Sequence, residues 1–518
     1  MPQSERSRTS VLIVGAGPTG LVLAFWLMRC GVSFRLIDDE SGPGGQSRAM
    51  VVQARTLEFY QQLGIADEVV AQGVAIEKGH LREGSERGGG NEVLELRFTD
   101  FGAGISPFPY VLAYPQDDHE RFLAGKLKAA GREIEWNTKL IGFKQEGAQV
   151  RAEIDRGNGR IEDVEADYIC GCDGAHSQVR ESLGIGFPGG TYEQVFYVAD
   201  VKIASGFDRE LYVNLGENIL SLMFPVRLSG MQRLIGLIPP ELAQNEDLTF
   251  EDIRDRVEPL VDVKVTEVNW FSRYRVHHRV AEHFRADRAF LLGDAAHIHS
   301  PVGGQGMNTG IGDAVNLAWK LADVIRGRGG SLLLDSFEPE RIGFARTLVS
   351  TTDRAFTPLV SGGWRGEFVR RILAPLFFSV ATRIDLGRRT VFRTVSQTRI
   401  HYDDSPLSEG KAGSVHGGDR LPWVQMEDGD NFVPLRSIDW QAHIYGTADE
   451  TLEKVCRQIG LPVHEFPWGK SADAAGLEQD ALYLIRPDGY VALAVGGKSA
   501  AEQLESYFHK VGLRLSSR

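Results

Sequence analysis

The chain has 518 residues and is 42% hydrophobic and 25% charged, a composition typical of about two to four packed domains. Its formal net charge of −13 argues against a nucleic-acid-binding surface, and its four cysteines do not suggest a disulfide framework. The most apolar stretch of the second half, residues 372–381, spans only about half of a bilayer and contains Pro375. We therefore expect a cytoplasmic protein without a nucleic-acid or membrane partner.

The first predicted unit, residues 11–38, contains a strand, a glycine-rich turn, a helix and a second strand. Its apolar run VLIV has the length of a buried parallel strand. Gly15, Gly17 and Gly20 follow in the GxGxxG spacing, which lets a pyrophosphate approach the backbone at a helix N-terminus. Asp38 ends the second strand, where its carboxylate can accept hydrogen bonds from a ribose diol. This order of elements predicts a dinucleotide-binding unit.

The stretch after Asp38 begins with a glycine-rich loop, SGPGGQSRAM. Arg48, near the end of that loop, is interpreted either as a phosphate clamp or as a surface charge. Helices are predicted over 56–63 and 116–130, each followed by a glycine, and a hairpin with a loose glycine turn is predicted between them at 80–104. The next predicted elements are strands over 134–143 and 150–154.

Residues 167–180, DYICGCDGAHSQVR, indicate a strand that ends at an Asp-Gly pair before a helix begins near Ser177. Asp173 lies between small residues at the strand end, where an acid can approach a sugar or a pyrophosphate closely. The alternative is a plain turn, since Asp-Gly is common in turns. The CxC pair has no second pair with metal-ligand spacing, and no metal site is expected. The same reasoning makes four histidines structural: His277, His278, His297 and His299.

Residues 187–280 change character, because they consist of short β-branched or aromatic segments separated by turn residues. They predict an antiparallel sheet inserted into the α/β domain as a lid or wall for a substrate. The chain then returns with a buried strand at 289–292, a glycine-rich loop at 301–308 and a helix over 309–325. This second strand–loop–helix unit again points a helix N-terminus at an anionic ligand.

The rest of the chain divides into a helical stretch, a linker and a small α/β unit. Residues 331–400 are amphipathic and helical, with many arginines on a solvated face. A Pro/Gly/Ser-rich linker is predicted over 401–423. The elements predicted beyond it are strands at 441–445, 481–485 and 491–495, a helix at 449–459 and a final helix that ends near Val511.

Three motifs resemble those of a known enzyme family: GAGPTG at 15–20, CDGAHSQVR at 172–180 and GDAAH at 293–297, with the loop PVGGQGMN after them. On these motifs, residues 10–350 resemble the single-component flavin-dependent aromatic hydroxylases of the p-hydroxybenzoate and phenol hydroxylase type. Residues 405–518 resemble the thioredoxin-like tail of the phenol and polyketide hydroxylase branches. That tail lacks the CxxC of thioredoxin, which excludes dithiol chemistry. Its expected role is packing or dimerisation, so a monomer and a homodimer both stay open.

The resemblance implies an α/β fold with a Rossmann-like FAD-binding domain, an inserted antiparallel-sheet substrate domain, a helical segment and a thioredoxin-like C-terminal domain. The expected bounds are 1–76, 110–186 and 281–362 for the FAD-binding domain, 77–109 and 187–280 for the substrate domain, 363–402 for the helical segment, and 403–518 for the thioredoxin-like domain.

The resemblance also implies one FAD, bound non-covalently, and a transiently docked NAD(P)H. The CDG motif is expected to serve the nicotinamide donor, since no second GxGxxG fingerprint is present. Leu140 is expected to contact the adenine through its backbone, and the 304–308 backbone is expected to face the pyrimidine edge of the flavin. Helix N–H groups there stabilise charge on the reduced ring by about 1 kcal/mol. The expected FAD-binding residues are Gly15, Gly17, Pro18, Thr19, Gly20, Asp38, Asp39, Arg48, Gln116, Leu140, Asp173, Asp294, Pro301, Gly304, Gly306, Met307 and Asn308.

The implied reaction is hydroxylation of a phenolic or polycyclic aromatic substrate. NAD(P)H reduces FAD, O2 adds at the flavin C4a position, and the terminal oxygen of the hydroperoxide attacks the ring. A base near the substrate would help to activate a phenol, but the sequence identifies none, so no catalytic residue is named. Met223, Phe224 and Pro225 are the expected wall of the substrate site.

Other functions stay open at this point. Within enzymes they are Baeyer–Villiger-type insertion, epoxidation and oxidative inactivation of an aromatic antibiotic, whereas the lack of a WxWxIP signature counts against halogenation. Outside enzymes the alternative is a non-catalytic flavin- or aromatic-binding protein, which the retained Gly304, Gly306 and Asn308 disfavour. The substrate, the regiochemistry and the choice between NADH and NADPH also stay open.

Overall fold

The computed structural model describes residues 7–45, 49–83, 91–98, 102–157, 159–205, 209–216, 219–300, 304–360, 385–497 and 499–515. In chain order the helices are α1 Pro18–Arg29, α2 Ala54–Leu63, α3 Ala66–Gln72, α4 Gln116–Ala129, α5 Gln178–Ser182, α6 Glu251–Val261, α7 Gly306–Ile325, α8 Ser331–Asp335, α9 Phe337–Val360, α10 Asp385–Val395, α11 Glu450–Ile459, α12 Lys470–Ala474 and α13 Ala500–Val511. None of these helices combines the length and the apolar character that a bilayer crossing requires.

The strands belong to three large sheets and two small ones. In chain order they are β1 Ser7–Val14, β2 Phe34–Ile37, β3 Val51–Val52, β4 Val74–Ile76, β5 Lys78–Glu83, β6 Asn91–Arg97, β7 Val111–Ala113, β8 Lys139–Glu146, β9 Gln149–Asp155, β10 Ile161–Gly171, β11 Gly189–Ile203, β12 Leu211–Gly216, β13 Ile219–Arg227, β14 Met231–Leu237, β15 Val265–Val280, β16 Arg285–Ala286, β17 Ala289–Leu291, β18 His297–Ile298, β19 Glu409–Ala412, β20 Val415–His416, β21 Gln425–Met426, β22 Gly429–Asp430, β23 Gln441–Tyr445, β24 Val463–Phe466, β25 Leu482–Ile485 and β26 Val491–Val495.

In the first sheet, of order β16-β17-β10-β1-β2, β1 is paired in parallel with the edge strand β2 on one side and with β10 on the other. β17 continues the sheet beyond β10, also in parallel. α1 is apolar on all sides and is buried from Gly20 to Leu27, as expected for a helix enclosed by neighbouring elements. The carboxyl ends of β1, β10 and β17 meet at one edge of the sheet, where a doubly wound fold binds its ligand. The predicted Rossmann-like unit is confirmed.

The second sheet has eight strands in the order β18-β15-β11-β14-β13-β12-β5-β6. All neighbours are antiparallel except β12 and β5, so residues 187–280 form the predicted antiparallel sheet and the 80–104 hairpin extends it. α6 covers one face with Ile253, Val257 and Val261. The opposite face carries Phe224 and Met231, which pack against β4 and β7. One face of this sheet therefore packs on the small three-stranded sheet β3-β7-β4 of the N-terminal part.

The third sheet forms the C-terminal part, with the strand order β20-β19-β26-β25-β23-β24. The strands and helices predicted beyond residue 440 are confirmed, and Asp449 caps α11 by accepting the Thr451 N–H at 2.9 Å. Residues 401–423 are not simply a linker, because β19 lies within them and pairs in parallel with β26. The helical segment expected over 363–402 contains α10, while 361–384 lie outside the described residues.

The C-terminal part packs directly on the part of the chain that contains α7 and α9, through buried aromatic and charged groups. The indole rings of Trp319, on α7, and Trp440 lie 5.4 Å apart at 88°, and both are essentially unexposed. Glu340 of α9 forms fully buried ion pairs with Lys320 and with Arg486 of the C-terminal part, each at 2.8 Å. Removing one partner of such a group leaves an uncompensated buried charge. The two parts therefore depend on each other for stability.

Candidate cofactor site

The first glycine loop contains two glycines that the fold itself requires and one that it does not. Gly15 has φ +103°, and a Cβ there would lie 2.3 Å from the Cys172 carbonyl oxygen. A Cβ on Gly20 would lie 1.9 Å from the Gly15 carbonyl oxygen, so this glycine lets α1 pack closely. Gly17 has φ −69°, and a Cβ there would meet no atom within 4 Å. The space beside Gly17 is therefore open to a ligand.

Asp38 lies at the carboxyl end of β2, where its side chain braces the loop. One carboxylate oxygen accepts the Ala16 N–H at 2.5 Å and the other accepts the Glu40 N–H at 2.9 Å. Burial raises the pKa of Asp38, while the Ala16 N–H acts in the opposite direction. Asp39 is exposed on the loop that follows. Asp38 thus lies beside the Gly17 space, and each of its oxygens retains a lone pair for a ribose hydroxyl.

The loop after Asp38 is held by α4. Glu120 accepts the Gly44 N–H at 2.9 Å and the Gln116 side-chain N–H at 2.8 Å. Gln116 in turn accepts the Ala49 N–H at 3.3 Å. Burial raises the pKa of Glu120. Sequence reasoning missed Glu120, although its position four residues after Gln116 on a helix was a usable signal. Arg48, on the same loop, lies outside the described residues.

The two strand–loop–helix devices interlock at Thr19. Gly293 has φ +58°, and a Cβ there would lie 2.6 Å from Thr19 Oγ1. A Cβ on Gly310 of α7 would lie 2.4 Å from the same oxygen. The first turn of α1, which begins at Pro18, is therefore wedged between the second loop and α7. Asp294 follows Gly293 with an exposed side chain, at the strand edge where the first loop also ends.

The loop before α7 is fixed by the side chain of Asn308. Its amide nitrogen donates to the Val51 and Gly304 carbonyl oxygens, both at 2.8 Å. Its amide oxygen accepts the Gln53 N–H at 2.9 Å and the Thr56 hydroxyl at 2.8 Å. Asn308 thus has a structural role, and the ligand-binding capacity of this loop lies in its backbone. Gly306 and Met307 are half-buried in the first turn, and Pro301 lies outside the described residues.

The N-termini of α1 and α7 are both suited to an anionic or electron-rich ligand. Among the described residues, neither helix has a side-chain cap, and neither has an acidic residue in its first turn. The unpaired N–H groups and the positive end of each helix dipole are therefore available. Together with the open space at Gly17, these two termini fit a ligand that has a pyrophosphate and a reducible ring, as FAD has.

Asp173 and Arg180 connect the CDG motif with the GDAAH motif. Asp173 accepts the Ser177 hydroxyl at 2.6 Å and the Val179 N–H at 3.1 Å, and burial raises its pKa. The Arg180 guanidinium donates to the Ala295 carbonyl oxygen at 2.9 Å, and burial lowers its pKa. The two motifs therefore form one rigid edge, with Asp173 adjacent to the first glycine loop.

Leu140, expected to contact the adenine through its backbone, lies near the end of β2. It is buried in β8 opposite Ile154. Two residues earlier, the Thr138 N–H donates to the Asp38 carbonyl oxygen at 2.8 Å. This bond places the start of β8 beside the end of β2, where Asp38 lies.

The three residues expected to form the substrate wall do not share one face of the sheet. Met223 packs with Tyr212 and Val257, on the face that α6 covers. Phe224 packs with residues of β4 and β7, on the face toward the FAD-binding part. Pro225 is buried and follows Met223 by two positions, so strand alternation places it on the α6 face. Phe224 alone of the three lies toward the cofactor loops.

In the described part of the chain, one cluster of side chains has the spacing of metal ligands, and it lies on the β5–β6 hairpin of the second sheet. His80 of β5 and two glutamates of β6, Glu92 and Glu95, have ligand atoms within 4.8 Å of one another. His297, considered earlier as a structural histidine, bonds to Asp313 at 2.7 Å. The Asp313 contact joins the GDAAH motif to α7.

The chain is similar to known proteins over most of its length. Residues 8–352 match the family described as FAD binding domain. The chain is 34% identical over 543 residues to 6-methylpretetramide 4-monooxygenase from Streptomyces rimosus, across 96% of this chain and 93% of that protein. It is 31% identical over 433 residues to pentachlorophenol 4-monooxygenase from Sphingobium chlorophenolicum, across 82% and 77% of the two chains. The solved anhydrotetracycline hydroxylase from Streptomyces rimosus has a TM-score of 0.75 at 27% identity, with 99% of this chain and 100% of that chain covered.

Proposed function

The chain belongs to the FAD-binding family of flavin-dependent monooxygenases, and from this premise we propose its substrate class and the residues that serve it. It is an FAD-dependent monooxygenase of aromatic compounds. The substrate we propose is a polycyclic phenol, hydroxylated with NAD(P)H and O2. The observation that carries the proposal is a half-buried apolar wall between the substrate sheet and the α7 loop.

The FAD site we propose is built from the two interlocked loops. The Gly17 space and the α1 N-terminus take the pyrophosphate, Asp38 takes the adenosine ribose, and Asp294 takes the ribitol. The N-terminal turn of α7 takes the pyrimidine edge of the flavin. When bound, FAD supplies electron transfer from NAD(P)H and the activation of O2. The chain's own part is to orient the cofactor and to exclude water from the aromatic substrate.

The substrate wall lies on the sheet face that carries Phe224. Leu222 and Ile235 flank Phe224 and are only partly buried, as is Val51 from the FAD-binding part. A Cβ on Gly304 would lie 2.8 Å from Val51 Cβ, so this wall reaches the loop that begins α7. Apolar surface of this kind, left half-exposed beside a cofactor loop, suits a flat aromatic ring system.

A polycyclic ring system is supported by the solved anhydrotetracycline hydroxylase, which matches nearly the whole chain at 27% identity. Baeyer–Villiger-type oxygenation is the second candidate, because the same cofactor site would serve that reaction.

The docking site we propose for the nicotinamide donor lies beside the CDG motif, where Arg279 comes near His176, His277 and His278. Burial and then the nearby charges of Arg279, His176 and His278 lower the pKa of His277, so its ring is neutral at pH 7 and Arg279 is the cation of this site. His277 and His176 are exposed, and His277 Nδ1 lies 2.7 Å from the Thr191 hydroxyl. The Arg279 guanidinium can attract a phosphate of NAD(P)H without a second dinucleotide fold.

The test compares Phe224→Ala with Met223→Ala, its neighbour on the opposite face. Polycyclic phenols are screened for stimulation of NAD(P)H oxidation in the wild type, with oxygen uptake, hydroxylated product and peroxide measured together. Phe224→Ala should raise KM by about tenfold and divert oxygen to peroxide, because the ring loses its contact. Met223→Ala should lower only the thermal midpoint.

Two outcomes would contradict the proposal. Equal effects of Phe224→Ala and Met223→Ala on KM would show that this wall is not part of the substrate site. A rate that no phenol stimulates, while a ketone yields an ester or lactone, would replace hydroxylation by the Baeyer–Villiger alternative.

A further inference from the structure

One buried carboxylate of α7 holds both ends of the GDAAH motif. Asp313 Oδ2 accepts the Gly293 N–H at 3.0 Å and lies 2.7 Å from His297 Nε2. Because an ionised carboxylate only accepts hydrogen bonds, His297 Nε2 carries the proton in this contact. Asp313 Oδ1 accepts from Arg341 Nε at 2.6 Å. Asp313 has no solvent-exposed surface. The Gly293 backbone before Asp294 and the His297 side chain after it are thus anchored to a single carboxylate.

Arg341 of α9 is itself held in a fixed orientation. Its guanidinium donates to the Thr309 carbonyl oxygen at 3.1 Å and to the Tyr402 hydroxyl at 3.0 Å. The Tyr402 ring lies 4.5 Å from the ring of Tyr490, in the C-terminal part. A Cβ on Gly312 would lie 3.1 Å from an Arg341 nitrogen, so the glycine leaves room for the guanidinium. Arg341 therefore connects the first turns of α7 with the C-terminal part of the chain.

The charge of Asp313 is retained despite complete burial. Burial acts to raise its pKa, but Arg341 and then His297 outweigh burial, and the pKa of Asp313 is lowered. An ionised acceptor forms shorter and stronger hydrogen bonds than a neutral one. The Gly293 N–H is consequently fixed more firmly than a backbone carbonyl would fix it.

We propose that Asp313 is a positioning residue that places Asp294 for the cofactor, with Arg341 as the group that aligns it. This inference rests on the proposed function, because Asp294 is the residue that we expect at the ribitol. Gly293 already lies against Thr19 of the first loop, so its position sets the distance between the two loops. A displaced Gly293 would misplace Asp294 without unfolding either helix.

α7 provides a matched control in Asp323, ten positions after Asp313. Asp323 is also buried, pairs with Arg328, and accepts the Trp440 indole N–H at 2.9 Å. Like Asp313 it is a buried aspartate of α7 with an arginine partner, but that partner is Arg328, and Asp323 lies at the end of α7 remote from Gly293. A purely structural role would make the two asparagine variants behave alike.

The experiment follows FAD release from full-length protein on dilution, by recovery of flavin fluorescence, in D313N and D323N. D313N should weaken FAD binding by about tenfold or more and change the visible flavin spectrum, because a charge-assisted bond to the loop is lost. D323N should lower the thermal midpoint to a similar extent and keep FAD affinity within about twofold of the wild type. Equal FAD affinities in D313N and D323N would overturn the proposal.

Two further variants distinguish a loss of FAD binding from a loss of folding. The double variant D313N/R341M leaves no unpaired buried charge, so it should fold and still bind FAD weakly. R341K keeps a cation beside Asp313 and should retain most of the FAD affinity. If D313N does not accumulate, the folded D313N/R341M protein decides: weak FAD binding supports the proposal, and wild-type FAD affinity overturns it. Failure of the proposed function appears separately, as wild-type protein that binds FAD but responds to no aromatic compound.

Discussion

The geometry of the first glycine loop makes opposite predictions for two alanine substitutions three residues apart. Gly17→Ala adds a methyl group where no protein atom lies within 4 Å, at a φ of −69° that alanine adopts freely. Loss of a glycine N-cap and gain from a stiffer unfolded chain oppose each other, so apo-protein stability should change by less than about 1 kcal/mol. Gly20→Ala places a methyl group 1.9 Å from the Gly15 carbonyl oxygen. Overpacking against backbone should cost about 3 kcal/mol.

FAD affinity should show the reverse pattern, with the marked loss in Gly17→Ala. The methyl group of Gly17→Ala occupies the space that the pyrophosphate needs, and losing one charge-assisted N–H bond costs about 2 kcal/mol, or roughly thirtyfold in FAD affinity. Calorimetric unfolding of both apo-proteins and FAD titration by fluorescence quenching measure the two effects. The reasoning is refuted if Gly17→Ala binds FAD as the wild type does, or if it unfolds as early as Gly20→Ala. Wild-type protein that stays colourless after reconstitution with FAD would contradict the assignment of FAD as the cofactor.

Two further predictions concern the C-terminal part. Deleting residues 405–518 removes Arg486 and Arg420, which pair with the buried Glu340 and Glu58. Each glutamate keeps one cation, Lys320 or Arg55, but loses part of its charge compensation, and Trp319 loses the Trp440 ring that packs on it. The truncated chain should therefore aggregate on expression, as solubility and light scattering would register. A soluble truncated chain with normal FAD content would contradict this result. Burial raises the pKa of the Cys456 thiol to about 11, so iodoacetamide at neutral pH should leave the thiol unmodified by mass spectrometry and turnover unchanged.

Local patterns were sufficient to predict the first loop and its two strands. The glycine spacing and the apolar runs on either side are contiguous in sequence, and α1 confirms the helix that they predict. The end of the strand at Leu291 and the helix at Gly306–Ile325 follow the same logic, although the helix begins three residues earlier than 309. Prediction from sequence misses a first helical turn that is rich in glycine, because glycine has low helix propensity.

Contacts between distant segments could not be predicted from the sequence pattern. Strand alternation already implied that Met223 and Phe224 face opposite ways, but the face that points to the cofactor depends on the pairing of β13 with β12 and β14. Asp313 bonds to a backbone twenty residues away, and no composition rule indicates that pairing. Residues 401–423 had a linker's composition, yet Glu409–Ala412 pairs with a strand near residue 493, since tertiary context decides β pairing.

The perpendicular indoles of Trp319 and Trp440 give the boundary between the two parts a spectroscopic signature of its own. At 5.4 Å their transition dipoles couple, and each N–H faces a carboxylate, from Asp488 and Asp323 respectively. Separation of the C-terminal part would abolish that coupling and expose both rings to solvent, which shifts their emission to longer wavelength. A bound flavin absorbs in the range where indole emits. Tryptophan lifetime measurements can therefore report, in a single unlabelled sample, both the docking of the C-terminal part and the occupancy of the cofactor site.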